Sequence, residues 1–233
     1  MNQVHNEMDL KPILMGEILM LEMLGRLLYE PLNQEWLSSM ITEEVFEDVP
    51  FGADQKITQE GLQVLNKWTQ DHQQGLDDAG FDDLRADYMR LFVGVGKVLA
   101  PLWESVHFSQ QRLVFQEITL DVRNWYRRFG LEPENLHKEP DDHIGLELIF
   151  AAQLSRHALQ ALEDQKPDLF QRYLEAHNEF LNQHLLRWAP YWASLVEEHA
   201  RTDFYRGLAL LTKGALLEIA EQYGLEIDEE IIK

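Results

Sequence analysis

Apolar residues recur at helical spacing along nearly the whole chain. Leu10, Ile13, Leu14, Ile18, Leu21, Leu24 and Leu28 fall three or four positions apart, interrupted only by Glu17, and Pro31 closes the segment. Leu62, Leu65 and Trp68 form a second stripe, and Phe81, Leu84, Tyr88 and Phe92 a third that ends at Gly94. Leu113, Ile118, Val122, Trp125 and Phe129 make a fourth, stopped by Gly130 in the position of a C-cap glycine. Further helices are predicted from about Asp142 to Glu163, from Pro167 through Phe170, Tyr173, Leu174 and Leu181, and from Pro190 through Leu195 and Val196. A last one runs from near Asp203 through Phe204, Leu208, Leu211, Leu216 and Ile219 to Gly224. No alternating strand pattern and no internal repeat is visible. The pattern predicts an all-α fold, a single globular helical bundle of about ten helices.

Two loops interrupt the periodicity. Gly94 to Ser109 holds two glycines, a proline and a tryptophan, and Gly130 to Asp141 holds Pro133, Pro140 and several charges. The second loop is the linker candidate. It divides the chain into an N-terminal portion (residues 1–130), a hinge (residues 131–141) and a C-terminal portion (residues 142–233), so two subdomains are an option. A proline hinge of this kind permits exchange of one portion between copies, which leaves monomer and domain-swapped dimer both open.

Composition narrows the function classes. The chain has 233 residues, 41 acidic against 20 basic, and a net charge of −21. Such a surface repels nucleic acid and anionic membranes and favours basic partners. Cysteine is absent, which excludes disulfides, thiolate metal sites and cysteine nucleophiles. The segment Met1 to Leu10 carries Glu7 and Asp9 and lacks the basic start of a signal peptide. No uncharged apolar run approaches the ~20 residues of a membrane span. A soluble, cytoplasmic protein without integral membrane association is expected.

The richest stretch chemically is Glu139-Pro140-Asp141-Asp142-His143-Ile144-Gly145-Leu146-Glu147. Read bare, it is a helix start: Pro140 cannot continue a preceding helix, Asp141 or Asp142 can cap, and apolar residues follow. Asp142 gains from the positive end of the helix dipole, and Glu147 lies one turn beyond His143 on the same face. A His143 general base with Asp142 or Glu147 would suit a helical hydrolase, yet no nucleophile or third metal ligand stands at a defining spacing. No catalytic or metal-binding residue is therefore assigned. His137, His143, His157, His177, His184 and His199 are scattered, and surface or internally satisfied histidines are the expectation. His177 and His184 are seven apart and nearly co-facial on a continuous helix.

A second stretch, Asp87-Tyr88-Met89-Arg90-Leu91-Phe92-Val93-Gly94-Val95-Gly96-Lys97, continues into Pro101-Leu102-Trp103-Glu104-Ser105-Val106. Its Gly94-x-Gly96-Lys97 core lacks the four-residue glycine spacing and the Ser/Thr of a phosphate loop, and it follows a helix rather than a strand. Trp68, Trp125, Trp188 and Trp192 fall on apolar stripes and are expected in the core. Trp103 sits in the glycine-proline loop as the candidate exposed aromatic anchor.

Together these stretches resemble the TorD/DmsD/NarJ family of molybdoenzyme maturation chaperones. That family shows an E-P-x-D-H signature, matched at Glu139 to His143. It also shows a D-Y-x-R-L-F-x-G-P-G run followed by P-x-W-E-S. Here Asp87, Tyr88, Arg90, Leu91, Phe92, Gly94 and Gly96 match, then Pro101, Trp103, Glu104 and Ser105. Val95 departs where proline is usual, and Leu102 stands where a turn residue is common. A third match joins His184 and Trp188-Ala189-Pro190 to Phe204-Tyr205. The resemblance covers about residues 10 to 220.

It implies a cytoplasmic, system-specific chaperone without enzymatic activity. Its partners would be the twin-arginine signal peptide and the apo catalytic subunit of a molybdenum-cofactor oxidoreductase. Its role would be to assist cofactor insertion and prevent premature export. No cofactor is expected, although family members have been linked to guanine nucleotides. The residues it points to are Asp142 and His143 as polar recognition groups and Trp103 as apolar anchor, with Glu104, Asp141, Glu147 and Asp87 as acidic or scaffold contributors. A permanent assembly subunit of a reductase complex is the alternative, beside the hydrolase.

Overall fold

In a computed structural model, the described residues are 7–94, 98–109, 114, 117–131 and 139–227, with side chains from Leu10 onward. Ten α-helices lie among them, and the all-α expectation holds. They are α1 (Glu7–Tyr29), α2 (Gln34–Thr42), α3 (Lys56–Asp71), α4 (Asp78–Tyr88), α5 (Glu104–Phe108), α6 (Glu117–Arg128), α7 (Ile144–Glu163), α8 (Pro167–Gln183), α9 (Ala189–His199) and α10 (Asp203–Tyr223). A wide π-type turn, Met89–Val93, extends α4, and a tight 3₁₀ turn, Leu185–Arg187, joins α8 to α9.

The apolar stripes read from the sequence face inward. Leu14, Ile18, Leu21, Leu24 and Leu28 of α1 are buried, as are Leu65, Trp68, Trp125, Trp188 and Trp192. α1 packs along α7, α7 on α8, α3 on α10 and α9 on α10. Elements from before and after residues 131–141 thus share one core. Residues 132–138 of the expected hinge, together with Leu113, Gly96 and Lys97, lie outside the described residues.

Two bare crossings bring backbones together. A Cβ on Gly25 would stand 2.8 Å from the Gly145 carbonyl oxygen, and one on Gly145 would stand 2.6 Å from the Gly25 carbonyl oxygen. A Cβ on Gly214 would lie 2.8 Å from the Thr58 backbone nitrogen, so α3 and α10 meet as closely as α1 and α7. Real Cβ atoms do not approach so near, and only glycine lets these pairs of helices touch.

Two helices escaped the sequence reading. α2 carries Leu37, Met40 and Ile41 inward, and Asn33 caps it by accepting from the Trp36 N–H at 2.8 Å. That spacing and cap were signals available in the sequence. α5 lies inside the expected loop 94–109, and its start is completed by a residue from a distant segment.

Candidate functional site

The two motif stretches meet. Trp103 and His143 form an antiparallel bridge: the Glu104 N–H donates to the Asp142 carbonyl at 2.9 Å, and the Ile144 N–H donates to the Leu102 carbonyl at 2.8 Å. Asp142 Oδ2 accepts from the Ser105 N–H at 2.8 Å, so Asp142 caps the first turn of α5. The cap of α7 is His143, whose Nδ1 accepts from the Gly145 N–H at 3.1 Å. The expectation that Asp141 or Asp142 would cap α7 is corrected accordingly. Asp141 instead takes the Arg123 Nε–H at 2.7 Å, while its carbonyl accepts from the Tyr126 hydroxyl at 2.9 Å.

Burial changes the picture of these residues. Glu104, Asp142 and Glu147 have no exposed surface, Asp141 has 1% and His143 has 4%. None offers itself directly to a partner in this conformation. Each carboxylate is drawn inward by backbone N–H groups, Arg123 or its neighbours. Trp103 is half-buried, not exposed: its Nε1–H donates to Glu139 Oε1 at 2.7 Å and its ring meets His143 edge-on at 6.0 Å. Burial pushes Glu139 up from the ordinary carboxylate range, against the pull of the Trp103 N–H.

His143 is packed between Tyr29 and Trp103, and burial lowers its pKa to about 3. With Nδ1 engaged as a helix cap, the ring is a neutral structural group. Replacing both Asp142 and His143 with alanine therefore removes two helix caps, and the loss of helix stability is about 0.5–2 kcal/mol for each.

A carboxyl cluster lies behind the bridge. Glu104 on α5, Glu147 on α7 and Asp142 crowd together, and each keeps one oxygen without a hydrogen-bond partner. Burial, then the negative neighbours Glu104 and Asp142, hold Glu147 well above the ordinary carboxylate range, against the pull of the Trp188 indole N–H at 3.2 Å. Glu104 Oε2 lies 2.8 Å from His184 Nδ1, at the end of α8. The other nitrogen of His184 faces Asp121 of α6 at 3.6 Å.

Over Glu104 and His184 a cleft of about 570 Å³ opens between α6 and the end of α8. Glu117, Asp121 and Asn124 line one wall and Gln183 and Arg187 the other, with Ile118 and Leu120 supplying apolar surface. Leu120 stands 54% exposed, and Phe108 and Tyr191 stand 43% and 47% exposed. The Arg187 guanidinium lies over the Phe108 ring at 4.6 Å, and His107 packs tilted against Trp188 and edge-on to Tyr191. The sequence singles out Glu104, and names His184 within a motif and as nearly co-facial with His177. Glu117 and Asp121 were missed.

Asp87 belongs to another place. Its Oδ2 accepts from the Arg201 N–H, the Thr202 N–H and the Thr202 hydroxyl at 2.8–2.9 Å, and its Oδ1 accepts from Arg90 at 2.8 Å. Arg90 also donates to the His199 carbonyl. Tyr88 and Phe92 pack on Tyr205, and Phe92 also stacks on Trp192. This motif therefore clamps the α9–α10 turn and starts α10, which is a scaffold role.

Among the described residues, no group of three His, Asp or Glu side chains is arranged to hold a metal ion, and no helix is long and apolar enough to cross a membrane.

The chain matches the sequence profile of the family described as nitrate reductase delta subunit over residues 54–194. It is 29% identical over 130 residues to the probable Tat proofreading chaperone DmsD of Haemophilus influenzae, covering 56% of this chain and 57% of that protein. It is 29% identical over 137 residues to the Tat proofreading chaperone DmsD of Salmonella typhi, covering 59% and 60%. The chaperone protein TorD of Aliivibrio fischeri is 30% identical over 132 residues, covering 57% and 60%. The matched stretch thus spans under two thirds of each relative's own length.

Proposed function

The chain belongs to the nitrate reductase delta subunit family, and from that premise we propose that it is a system-specific chaperone for a molybdenum-cofactor oxidoreductase. It binds the twin-arginine leader of the client, its apo catalytic subunit, or both. Binding keeps the leader from export until the cofactor is inserted. The role is holding and timing in the cytoplasm, with no chemistry and no cofactor of its own.

The observation that supports this most is the cleft between α6 and α8. Carboxylates form its floor and rim, and Leu120, Phe108 and Tyr191 expose apolar surface beside it. A twin-arginine leader joins a basic stretch to an apolar helix-forming stretch. Guanidinium forks pair with carboxylates, and apolar helix faces lie in grooves. Asp141, Asp142, His143, Glu147 and Trp103 serve this site from behind, by fixing Glu104 and the start of α5. Asp87 serves the scaffold.

Calorimetric titration with a synthetic twin-arginine leader, beside a copy with both arginines replaced by alanine, tests the reading. Saturable binding that is lost with the replaced copy supports it, and equal binding of both copies removes the acidic cleft as the determinant.

The delta subunit description of the family favours a second reading, that of a lasting assembly partner. Co-expression with the catalytic subunit separates the two. Fixed stoichiometry through size exclusion after cofactor loading favours the subunit, and release on loading favours the chaperone.

A further inference from the structure

Resting on the leader-binding reading, we propose that the cleft between α6 and the end of α8 is a seat for one arginine guanidinium of the bound segment, with Glu104 at the floor and Asp121 and Glu117 at the rim.

One buried polar atom beside this cleft stands unanswered. Glu104 lines the cleft with no exposed surface, and its carboxyl group is shared between His184 and Glu147. His184 is 2% exposed, and its Nε2 lacks a hydrogen-bond partner, standing 3.6 Å from Asp121. Buried polar atoms are nearly always paired, so an unpaired acceptor lining an open cleft marks a place where a donor arrives. The donor must be cationic, because three carboxylates surround the space.

Nor do cations among the described residues answer this cleft. Glu117 and Asp121 pair with no lysine or arginine among the described residues. Arg187 is engaged over Phe108, and its Nη1 donates to the Gln183 carbonyl at 3.2 Å.

Shape selects guanidinium over ammonium. The cleft offers acceptors at two depths, Glu104 within and Asp121 outside, which a planar fork with five donors can meet together. Guanidinium is also the more weakly hydrated ion and loses less on entering a half-enclosed space. Ile118 and Leu120 provide apolar wall for the methylene stem of the side chain.

The test uses the full chain and two small probes, N-acetyl-arginine amide and N-acetyl-lysine amide. Each is titrated while the Trp188 indole and His184 ring signals are followed by NMR. Arginine amide is expected to shift both signals saturably, with the lysine amide at least tenfold weaker. The double variant Glu117→Gln, Asp121→Asn changes only exposed side chains, so it should keep its melting temperature. It should weaken arginine amide, and a synthetic twin-arginine leader, at least tenfold. Glu43→Gln, an exposed carboxylate at the end of α2, should weaken neither.

Equal shifts by both amides, no shift by either, or full arginine affinity in the double variant overturns the seat. A leader that binds wild type and double variant alike removes the seat and leaves the chaperone reading standing. A wild type that takes arginine amide but no leader does the reverse.

Discussion

His177 lies in α8 and His184, seven residues on, caps its C-terminal end, and each meets a buried glutamate in a different setting. His177 Nε2 stands 2.8 Å from Glu17 of α1. Ser155 donates to the same carboxylate oxygen at 2.5 Å, and Tyr223 donates to the other at 2.9 Å. Two hydroxyls also serve this carboxylate, and no surface of the pair is exposed. His184 meets Glu104 at the same 2.8 Å, but Glu104 shares its space with Glu147 and Asp142, and the ring's far side faces a cleft. The same residue pair is a sealed fastening within α8 and an acid-rich pocket just past its C-terminal end. Charge balance and enclosure separate the two.

The comparison breaks first at its sealed end. Glu17→Ala leaves His177 buried without its partner, and loss of one member of a buried pair costs about 3–5 kcal/mol. Urea unfolding should show this as a large drop in midpoint at unchanged slope, and a drop below about 1 kcal/mol would mean that the pair holds little.

A second prediction concerns pH. Burial opposes the charge of Glu17, but His177, Ser155 and Tyr223 outweigh it and hold its pKa below the ordinary 4.5. Burial likewise opposes the charge of His177, and Glu17 outweighs it and holds the imidazole above 6.5. The Glu17 contribution is complete above pH 4.5 and is lost as pH falls through its lowered folded value. The His177 contribution is complete below pH 6.5 and is lost as pH rises through its raised folded value. Stability from this pair should therefore be greatest between about 4.5 and 6.5. In His177→Gln the alkaline decline should flatten, which thermal melts across pH would reveal.

Glu147 carries the opposite sign. Below pH 4.5, its ordinary value, the group is protonated whether the chain is folded or unfolded. Above that pH the unfolded chain ionises while the folded one retains its proton, so stability falls as pH rises. Glu147→Gln supplies the same hydrogen-bonding shape without the penalty. It should match wild type below pH 4.5 and melt higher at neutral pH, by about 2–4 °C for each kcal/mol recovered. A lower melting point at neutral pH would mean that Glu147 is ionised in the fold. The smallest effect belongs to Asp121→Asn at the open end, whose stability should stay within about 0.5 kcal/mol of wild type.

Much of this architecture was legible in the sequence. The long stripes gave α1, α7, α8 and α10, and Gly130 and Gly224 do end helices with positive φ of 71° and 65°. Glu17, the polar break in the first stripe, is explained by a histidine on another helix that no local pattern could reveal. α5 was read as loop because it has five residues and is capped by Asp142 from a distant segment. The motifs announced that Glu104 and His143 matter, and the bridge shows that they meet. What the motifs hid was direction: a carboxylate beside a loop looks exposed until the N–H groups that draw it inward are known. Glu117 and Asp121 were missed for the reverse reason, since acidic residues on the outer face of a helix carry no periodic signal.

The bare contact between Gly25 and Gly145 has a consequence for how such a site can diversify. Gly145 sits between His143 and Glu147, so the carboxyl cluster takes its bearing from α1, against which α7 has no slack to turn. A single methyl group at position 25 would rotate or lift α7 and tilt the floor of the cleft from the opposite side, leaving every residue that lines it unchanged. On the leader-binding reading proposed above, position 25 is a remote point from which the cleft can be reset, and variants selected for altered binding should be examined there as well as in the cleft.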